Sequence, residues 1–376
     1  MSAAPLVRGW CPTAWRPMAA GDGLILRVRP RLGRVSREQM HVVADVARAH
    51  GSGLIDVTNR AALQLRGLRE RDWTSALDPL IAAGLVDHDP VREGRAMLVA
   101  PDWRAGDDTH RIASALLEQI DALPPLPGKI GFAVDAGALP VLGASPADFR
   151  IERAATGALM IRPDGRPTGA AVADGDEAAA LIALAHWFHQ SGGARAGRMA
   201  RHAAPLPDWA SDTLSPASGG VAMAQGDHPL GVAIGLPFGR IDADTLDKLA
   251  ALPGVTGLRL TPWRIVLVEG ATSAKLPHVG PVDLSVDACV GAPACPQATV
   301  ETRTLATRLA PHVAGRLHVS GCAKGCARAA PADVVVTGRV GRFDVALNAR
   351  ADDAPARSGL SADDLIAFLE SHPDAA

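Results

Sequence analysis

Several kinds of residue and segment are scarce or missing in this chain of 376 residues. It contains no tyrosine, and aromatic residues make up only 3% of the sequence. Because proteins that bind single-stranded nucleic acids stack bases on aromatic side chains, this scarcity argues against a nucleic-acid-binding module. No apolar run approaches the roughly 18 residues that a membrane helix needs, so we expect no membrane-spanning segment. The formal net charge of −2 gives no sign of a polyanion-binding surface.

A secretory leader is also missing from the beginning of the sequence. Met1-Ser-Ala-Ala-Pro-Leu-Val-Arg contains no apolar core of the kind that signal peptides have. We therefore expect a cytoplasmic protein in a reducing compartment, where structural disulfides are disfavoured. The apolar content of 48% is typical of a globular protein, and the length predicts roughly two to four subdomains.

Cysteine is scarce as well, but four of the five cysteines lie close together near the C-terminus. Cys289 and Cys295 form a C-x5-C pair, and Cys322 and Cys326 form a C-x3-C pair. Four thiolates brought together can hold zinc or an iron–sulfur cluster. The spacing matches neither a zinc ribbon nor the common ferredoxin patterns. Spacing alone therefore leaves open buried apolar thiols, disulfides, zinc and a cluster.

The chain also contains an internal repeat. Residues 21–68 predict a strand, a helix capped by Ser36, and two further strands. Residues 229–270 repeat this order, with a helix that begins at Asp242. Aligned without gaps, Val57-Thr58 meets Leu260-Thr261, and Gly67 meets Gly270. This long period is not that of a solenoid and indicates a duplicated two-domain unit.

An α/β region is expected after each repeat, and a segment rich in Pro, Ser and Gly separates the two units. The predicted organisation is an N-terminal arm (1–20), a half-domain A (21–86), an α/β domain A (87–205), a linker (206–228), a half-domain B (229–280) and an α/β domain B that carries the paired cysteines (281–376).

The two cysteine motifs carry a resemblance to a known superfamily. Ala288-Cys-x5-Cys followed by His318-Val-Ser-Gly-Cys-x3-Cys resembles the sirohaem-dependent sulfite and nitrite reductases. The resemblance implies an α+β fold in which two ferredoxin-like half-domains pair with two α/β domains around a tetrapyrrole cavity. It also implies that all four cysteines bind one 4Fe–4S cluster. In the reductases, the cysteine that matches Cys326 also bridges the cluster to sirohaem iron.

The same resemblance implies a set of contacts to the carboxylates of a tetrapyrrole, for which the fork of arginine is well suited. The segment from Thr58 to Gly67 is similar to the T-x-R-x3-Q-x-R/H-G segment of the reductases. An ordinary surface position is the alternative for any one of these side chains, and Gln64 fits an outward-facing strand position equally well. The implied contact residues are Arg60, Gln64, Arg66, Arg95, Lys129 and Arg264.

One departure from the reductases bears on the reaction. Gly128 and Gly131 stand where the reductases have an arginine and a lysine that hold the small oxyanion. The loss of these cations weakens the case for sulfite or nitrite reduction, which must stabilise a small, highly charged group. We therefore expect the tetrapyrrole to be the substrate and not the prosthetic group.

The N-terminal sequence resembles one branch of this superfamily, the precorrin-3B synthase family. The resemblance lies in Cys11-Pro, in Pro17-Met-Ala-Ala-Gly-Asp-Gly, and in the H-V-S-G-C-A-K-G-C-A form of the second cysteine pair. It implies insertion of one oxygen atom from O2 at C20 of precorrin-3A, with closure of a γ-lactone, in aerobic cobalamin biosynthesis. We expect Cys11 to be a partly buried thiol and not a metal ligand.

The resemblance also implies an electron supply and a second metal. NADH would be the ultimate electron source, and the absence of a G-x-G-x-x-G motif after a strand predicts a separate electron-donating reductase. The family is credited with a non-haem iron, but no 2-His-1-carboxylate pattern can be assembled from His186, His189 and His318, so the catalytic residues are not assigned. The alternatives are a small sirohaem-dependent sulfite or nitrite reductase and a non-catalytic tetrapyrrole-binding iron–sulfur protein.

Overall fold

The two repeats form two antiparallel sheets that share strands. The computed structural model describes residues 10–211, 213–276 and 280–371, so the first nine residues of the predicted N-terminal arm lie outside the described residues. The first repeat and the helices after it comprise β1 (Met18–Ala20), β2 (Gly23–Val28), β3 (Arg34–Ser36), α1 (Arg37–His50), β4 (Leu54–Val57), β5 (Leu63–Leu68), α2 (Trp73–Ala82) and α3 (Pro90–Glu93).

The first α/β region follows. It comprises β6 (Ala96–Val99), α4 (Asp108–Glu118), β7 (Gly131–Asp135), β8 (Phe149–Arg153), β9 (Leu159–Pro163), β10 (Ala170–Ala171), α5 (Glu177–Gln190) and α6 (Gly193–Ala196). The second repeat comprises β11 (Gly226–His228), β12 (Gly231–Gly235), β13 (Arg240–Asp242), α7 (Ala243–Ala251), β14 (Gly257–Leu260) and β15 (Ile265–Glu269). The second α/β region comprises β16 (Val286–Ala288), α8 (Arg303–Leu309), β17 (Leu317–Ser320), β18 (Ala332–Arg339), β19 (Arg342–Ala349), β20 (Arg357–Leu360) and α9 (Ala362–Glu370).

Local sequence explains the helix of each repeat. The Ser36 side chain accepts a hydrogen bond from the Gln39 N–H, and the Gln39 side chain accepts one from the Ser36 N–H, which completes a capping box at α1. The Asp242 carboxylate accepts a hydrogen bond from the Thr245 N–H at the start of α7. Apolar residues at helical spacing then bury one face of each helix, as the sequence predicts.

Each repeat gives one strand to the sheet of the other. The sheet orders are β1-β2-β5-β4-β13 and β11-β12-β15-β14-β3. In the exchanged pairs, Ile241 lies opposite Ile55, and Val35 lies opposite Leu258. The apolar faces of both sheets and the helices α1 and α7 between them form one core, in which residues of both repeats are fully buried. Neither repeat therefore completes its sheet without the other.

Backbone conformation confirms that the repeats are equivalent. Leu32 and Phe238, which precede the exchanged strands, both have φ of 54°. Ala61 and Arg264, in the turns between the last two strands, have φ of 48° and 59°. Left-handed backbone is uncommon for residues other than glycine, so its recurrence at matched positions is strong support for duplication.

The two α/β regions also repeat one another. Strands β6, β7 and β8 are parallel, and β9 and β10 follow antiparallel. Strands β16, β17 and β18 are parallel, and β19 and β20 follow antiparallel. Loops at the carboxyl ends of parallel strands meet at one edge of a sheet, where α/β proteins place their binding sites.

The segment predicted as a linker contacts the first α/β region. The Leu214 N–H and carbonyl exchange hydrogen bonds with Gly169 at 3.1 and 2.9 Å, and the Ala217 N–H donates to the Arg153 carbonyl at 2.8 Å. The end of this segment forms β11 at the edge of the second repeat's sheet. No helix in the described part of the chain is long and apolar enough to cross a membrane.

Candidate functional site

The two cysteine pairs lie on neighbouring loops at the carboxyl ends of parallel strands. Cys289 directly follows β16, and Cys322 follows β17. The Cys289 N–H donates to the Val319 carbonyl at 3.3 Å, and the Gly321 N–H donates to Cys289 Sγ at 3.2 Å. All five cysteines in the chain are free thiols. The adjacent strands therefore bring together the two motifs that the sequence separates.

The electrostatics of Cys326 show that the four thiols are neighbours. Desolvation by the surrounding loops raises the pKa of the Cys326 thiol to about 11, although part of the residue remains exposed. Lys324 opposes this rise in pKa, whereas Cys289, Cys322 and Cys295 add to it. All three other thiols are thus close enough to act on Cys326.

Glycines allow these loops to approach each other closely. A Cβ on Gly321 would lie 2.6 Å from the Cβ of Ala298. Gly291 has φ of 66°, and a Cβ there would lie 2.6 Å from Oγ1 of Thr302. Neither position accepts a larger residue without movement of the backbone.

The donor set fits a cluster better than a single ion. In the described residues, no three His, Cys, Asp or Glu side chains are arranged to hold one metal ion. Zinc needs all its sulfur ligands at about 2.3 Å, whereas the ligands of an iron–sulfur cluster stand at the corners of a larger group. Four soft thiols on adjoining loops are a donor set that suits such a cluster.

The Gly-Asp-Gly motif at the N-terminus touches the first cysteine loop. The Gly21 N–H donates to the Ala294 carbonyl at 2.9 Å, and a Cβ on Gly21 would lie 2.1 Å from the Pro293 carbonyl oxygen. The next residue, Asp22, accepts two hydrogen bonds from the Arg66 guanidinium at 2.9 and 3.0 Å. The motif thus joins the cysteine loops to the sheet of the first repeat.

The face of that sheet opposite the core is rich in arginine, and we call it the arginine face. It carries Arg27, Asp56, Gln64 and Arg66 on β2, β4 and β5, and it extends to Arg60 in the turn before β5. The carboxylate of Asp56 lies at its centre. It accepts from Arg240 at 2.8 Å and forms ion pairs with Arg303 at 3.4 Å and Arg66 at 3.6 Å. Since Arg303 begins α8, the arginine face contacts the region that carries the cysteines.

Arg27 and Arg60 on this face lack a carboxylate partner among the described residues, whereas the neighbouring Arg198 pairs with Asp148 at 3.1 Å. Arg60 and Arg198 both donate to the Lys129 carbonyl, at 3.2 and 2.8 Å. Arg27 contacts Cys11 and donates hydrogen bonds to the side-chain oxygen of Gln64. Burial lowers the pKa of Arg27 and of Arg60. No carboxylate in the described residues lies within ion-pair distance of Arg27 or Arg60, which is the setting expected for an anionic ligand.

The structure brings four of the six predicted contact residues together. Arg60 and Lys129 meet at one end of the arginine face, and Gln64 and Arg66 lie along it. Arg264 is engaged elsewhere. It donates to the carbonyls of Val286 and Leu284 at 2.6 and 2.5 Å and pairs with Asp287 at 3.1 Å.

Arg95, the sixth predicted residue, lines a separate cavity beside the arginine face. The roles of all six residues in substrate binding remain predictions.

Sequence reasoning missed three arginines. Arg27 had a usable signal, because it alternates with the core residues Leu26 and Val28 in β2 and must point to the opposite face. Arg198 and Arg303 lie in segments without such a pattern. Only the packing of distant segments brings them to Arg60 and Asp56.

The histidines considered for an iron site do not come together. His186 contacts the Ala122 carbonyl at 2.8 Å, and His189 is exposed on the same helix, α5. His318 is fully buried in β17, and neither of its ring nitrogens has a partner in the described residues. The described part of the chain therefore offers no 2-His-1-carboxylate site.

Comparison with known proteins identifies relatives of this chain. Residues 16–83 match the family of the nitrite/sulfite reductase ferredoxin-like half domain. A precorrin-3B synthase from a Sinorhizobium species is 30% identical, over 94% of this chain and 85% of the relative. The chain belongs to the precorrin-3B synthase family.

Other members of the wider superfamily are more distant. A ferredoxin–nitrite reductase from Synechococcus elongatus is 24% identical over 89% of this chain and 80% of the relative. The structure of the Mycobacterium tuberculosis NirA protein superposes with a TM-score of 0.59 at 16% identity, over 92% of this chain and 79% of that one. The predicted α+β fold of the nitrite/sulfite reductase type is confirmed.

Replacing Cys322 with alanine should remove the cluster, because the three remaining thiols cannot complete its ligand set. We expect about four irons and four sulfides per wild-type chain. Iron and acid-labile sulfide should be measured after anaerobic purification. Cys11→Ala is the control and should keep both, since Cys11 lies on the arginine face. Normal iron and sulfide in Cys322→Ala would contradict the assignment.

Replacing Gly21 with alanine should also lower the iron and sulfide content. The added methyl group would collide with the Pro293 carbonyl and displace the loop that carries Cys295. Gly137→Ala is the matched control, because a Cβ at Gly137 meets nothing within 4 Å. Equal cluster content in the two variants would show that the contact with Gly21 does not position the loop.

Proposed function

We propose that this chain is a monooxygenase that converts precorrin-3A to precorrin-3B in aerobic cobalamin biosynthesis. The observation that carries the proposal is an arginine face with unpaired cations, beside two glycines where the reductases place oxyanion-binding cations. Such a face suits a large ring with many carboxylates and not a small oxyanion. The family relationship to precorrin-3B synthase supports the same reaction.

Arg60 and Arg27 are the residues best placed to hold substrate carboxylates. Both are largely withdrawn from water and have no carboxylate partner, so a charge-assisted hydrogen bond to a ligand would be strong. Arg66 has a different role, because Asp22 and Asp56 already compensate its charge. We infer that Arg66 fixes the sheet to the cysteine loops.

Gly131 lies beside Arg60 and Ala96, whereas the surroundings of Gly128 are open. A Cβ on Gly131 would lie 3.8 Å from Nη1 of Arg60, and a Cβ on Gly128 would meet nothing within 4 Å. The Gly131 N–H donates to the buried carboxylate of Asp148 at 3.0 Å, which fixes the start of β7. A lysine side chain at 131 would point toward Arg60 and would occupy space that a bulky macrocycle needs.

Cys289, Cys295, Cys322 and Cys326 would hold the 4Fe–4S cluster. When bound, the cluster would supply single electrons that come ultimately from NADH through a separate reductase. We derive no step through a non-haem iron, since the described residues do not provide its ligands. The contribution of the chain is to bind the macrocycle by its carboxylates and to hold it beside the cysteine loops.

The decisive experiment is conversion of precorrin-3A with a reductant and labelled O2. We expect oxygen-dependent product formation with one labelled atom in the product. Oxygen uptake would also exclude a tetrapyrrole carrier without activity. If the product formed equally well without O2, the monooxygenase proposal would have to be abandoned.

A small sirohaem-dependent reductase is the second candidate, which the similarity to the Synechococcus nitrite reductase favours. The purified protein would then show the strong visible bands of sirohaem and would reduce sulfite or nitrite with a strong artificial donor. We expect neither, because Gly128 and Gly131 cannot stabilise the small anion.

The substrate site can be tested with Arg60→Ala. Loss of a charge-assisted hydrogen bond costs roughly 1.5–3 kcal/mol, so binding of precorrin-3A should weaken by about 10-fold or more. Cluster content should not change. Arg71→Ala is the control, because Arg71 is exposed and forms an ion pair with the neighbouring Asp72 at 3.7 Å. Equal affinity in both variants would refute the arginine face as the binding surface.

A further inference from the structure

A cavity of about 340 Å³ lies between the first repeat and the first α/β region. The end of α2, the α3 turn, β6 and the end of α4 enclose it. Ile81, Leu85, Met97, Leu117 and Phe132 supply its apolar walls. This cavity lies outside the arginine face, and its charged residues have an unusual arrangement.

One oxygen of a buried carboxyl group in the cavity wall lacks a hydrogen-bond partner in the described residues. Glu93 is only 6% exposed. Its Oε2 accepts a hydrogen bond from the Asp87 N–H at 3.0 Å, whereas its Oε1 has no partner in the described residues. The nearest cation, Arg29 Nη1, is 3.9 Å from Oε1, beyond hydrogen-bond distance. A buried polar atom without a partner costs about 1–3 kcal/mol, so a ligand in the cavity that Glu93 lines would gain by forming a hydrogen bond with this carboxyl group.

Arg95 lines the same cavity and is nearly free of partners. Among the described residues its side chain makes a single hydrogen bond, to the Leu123 carbonyl, which is long at 3.5 Å, and burial lowers the pKa of Arg95. The neighbouring Arg92 is already engaged by Asp87 at 3.1 Å and Asp121 at 2.5 Å. Arg95 is therefore available for an anion from the cavity side.

The protonated form of Glu93 can donate a hydrogen bond to a ligand. Burial raises the pKa of Glu93 to about 7, while the Asp87 N–H and Arg29 act in the opposite direction. Near neutral pH a substantial fraction of Glu93 is a carboxylic acid, which can donate a hydrogen bond to a carboxylate. The charged and titratable groups that line the cavity with Glu93 are Arg29, Arg31, Asp87, His88, Arg92 and Arg95.

We propose that this cavity binds a carboxylate attached to an apolar body, held between Arg95 and a hydrogen bond donated by Glu93. The carboxylate has two possible carriers, an arm of the bound tetrapyrrole or a free small acid.

The cavity adjoins the arginine face through Arg29, whose pKa burial lowers to about 10 and on which the charges of Arg27 and Arg60 also act. This proximity favours the macrocycle arm. The preference for a tetrapyrrole arm over a free acid rests on the proposed function. The binding of a carboxylate by Arg95 and Glu93 does not.

The test is a binding titration of the cluster-loaded protein at pH 6 and pH 8. The probes are uroporphyrin, a macrocycle with many carboxylates, and hexanoate, a small acid with an apolar tail. Above its pKa Glu93 ionises, and its hydrogen bond to the ligand carboxylate is replaced by repulsion between two carboxylates. The affinity of the wild-type protein for the probe should therefore fall about 10-fold between pH 6 and pH 8. Glu93→Gln, which keeps a donor without a charge, should abolish this fall. Arg95→Ala should weaken binding at both pH values.

The controls are Glu70→Gln and Arg71→Ala, which change exposed side chains and should behave as wild type. If hexanoate alone shows the expected pattern, the cavity binds a free acid, and the proposed use of a macrocycle arm fails. If uroporphyrin binds but its pH dependence persists in Glu93→Gln, the inference is overturned and the proposed function is not. Absence of binding by both probes also overturns the inference.

Discussion

The exchange of β3 and β13 is the constraint on which the rest of the structure depends. Each exchanged strand closes the edge of a sheet that belongs to the other repeat, and the shared core then buries α1 and α7 between the sheets. An unpaired sheet edge would leave backbone donors and acceptors exposed. The exchange therefore makes the two repeats one structural unit and fixes the direction in which the polar face of each sheet points.

The duplication produced two equivalent sheets, but the faces that point away from the shared core have diverged. The outer face of the second sheet carries an apolar cluster, in which Ala233, Ile265 and Leu267 pack against Met223 and Leu284, and its Arg259 is paired with Glu269. The corresponding face of the first sheet is the arginine face. The cysteines show the reverse asymmetry, because all four lie in the second α/β region. A binding surface from one copy and a cluster site from the other are thus held together in one molecule.

Two carboxylates link the arginine face to the region that carries the cysteines. Asp22 ties Arg66 to the segment that touches the first cysteine loop, and Asp56 holds Arg240 and Arg303. Such partly buried ion pairs contribute little net stability, since desolvation offsets much of their attraction. Their effect is geometric. They fix guanidinium groups beside the loops and leave Arg27 and Arg60 with charge available for a ligand.

The sequence by itself determined the features that depend on local pattern. Period-two alternation identified β2, and the Ser36 and Asp242 caps identified α1 and α7. The resemblance of the two cysteine motifs to the reductases implied that the four cysteines form one group. The position of Arg27 on the polar face follows from the same alternation.

Tertiary structure alone decided the strand exchange, the engagement of Arg264 with Val286 and Asp287, and the pairing of Arg303 with Asp56. It also left Glu93 without a partner beside a cavity. These contacts join segments that are far apart in the chain, and such pairings leave no periodicity in either segment. They form because burial of the shared core brings the segments together, so they become visible only once the chain has folded.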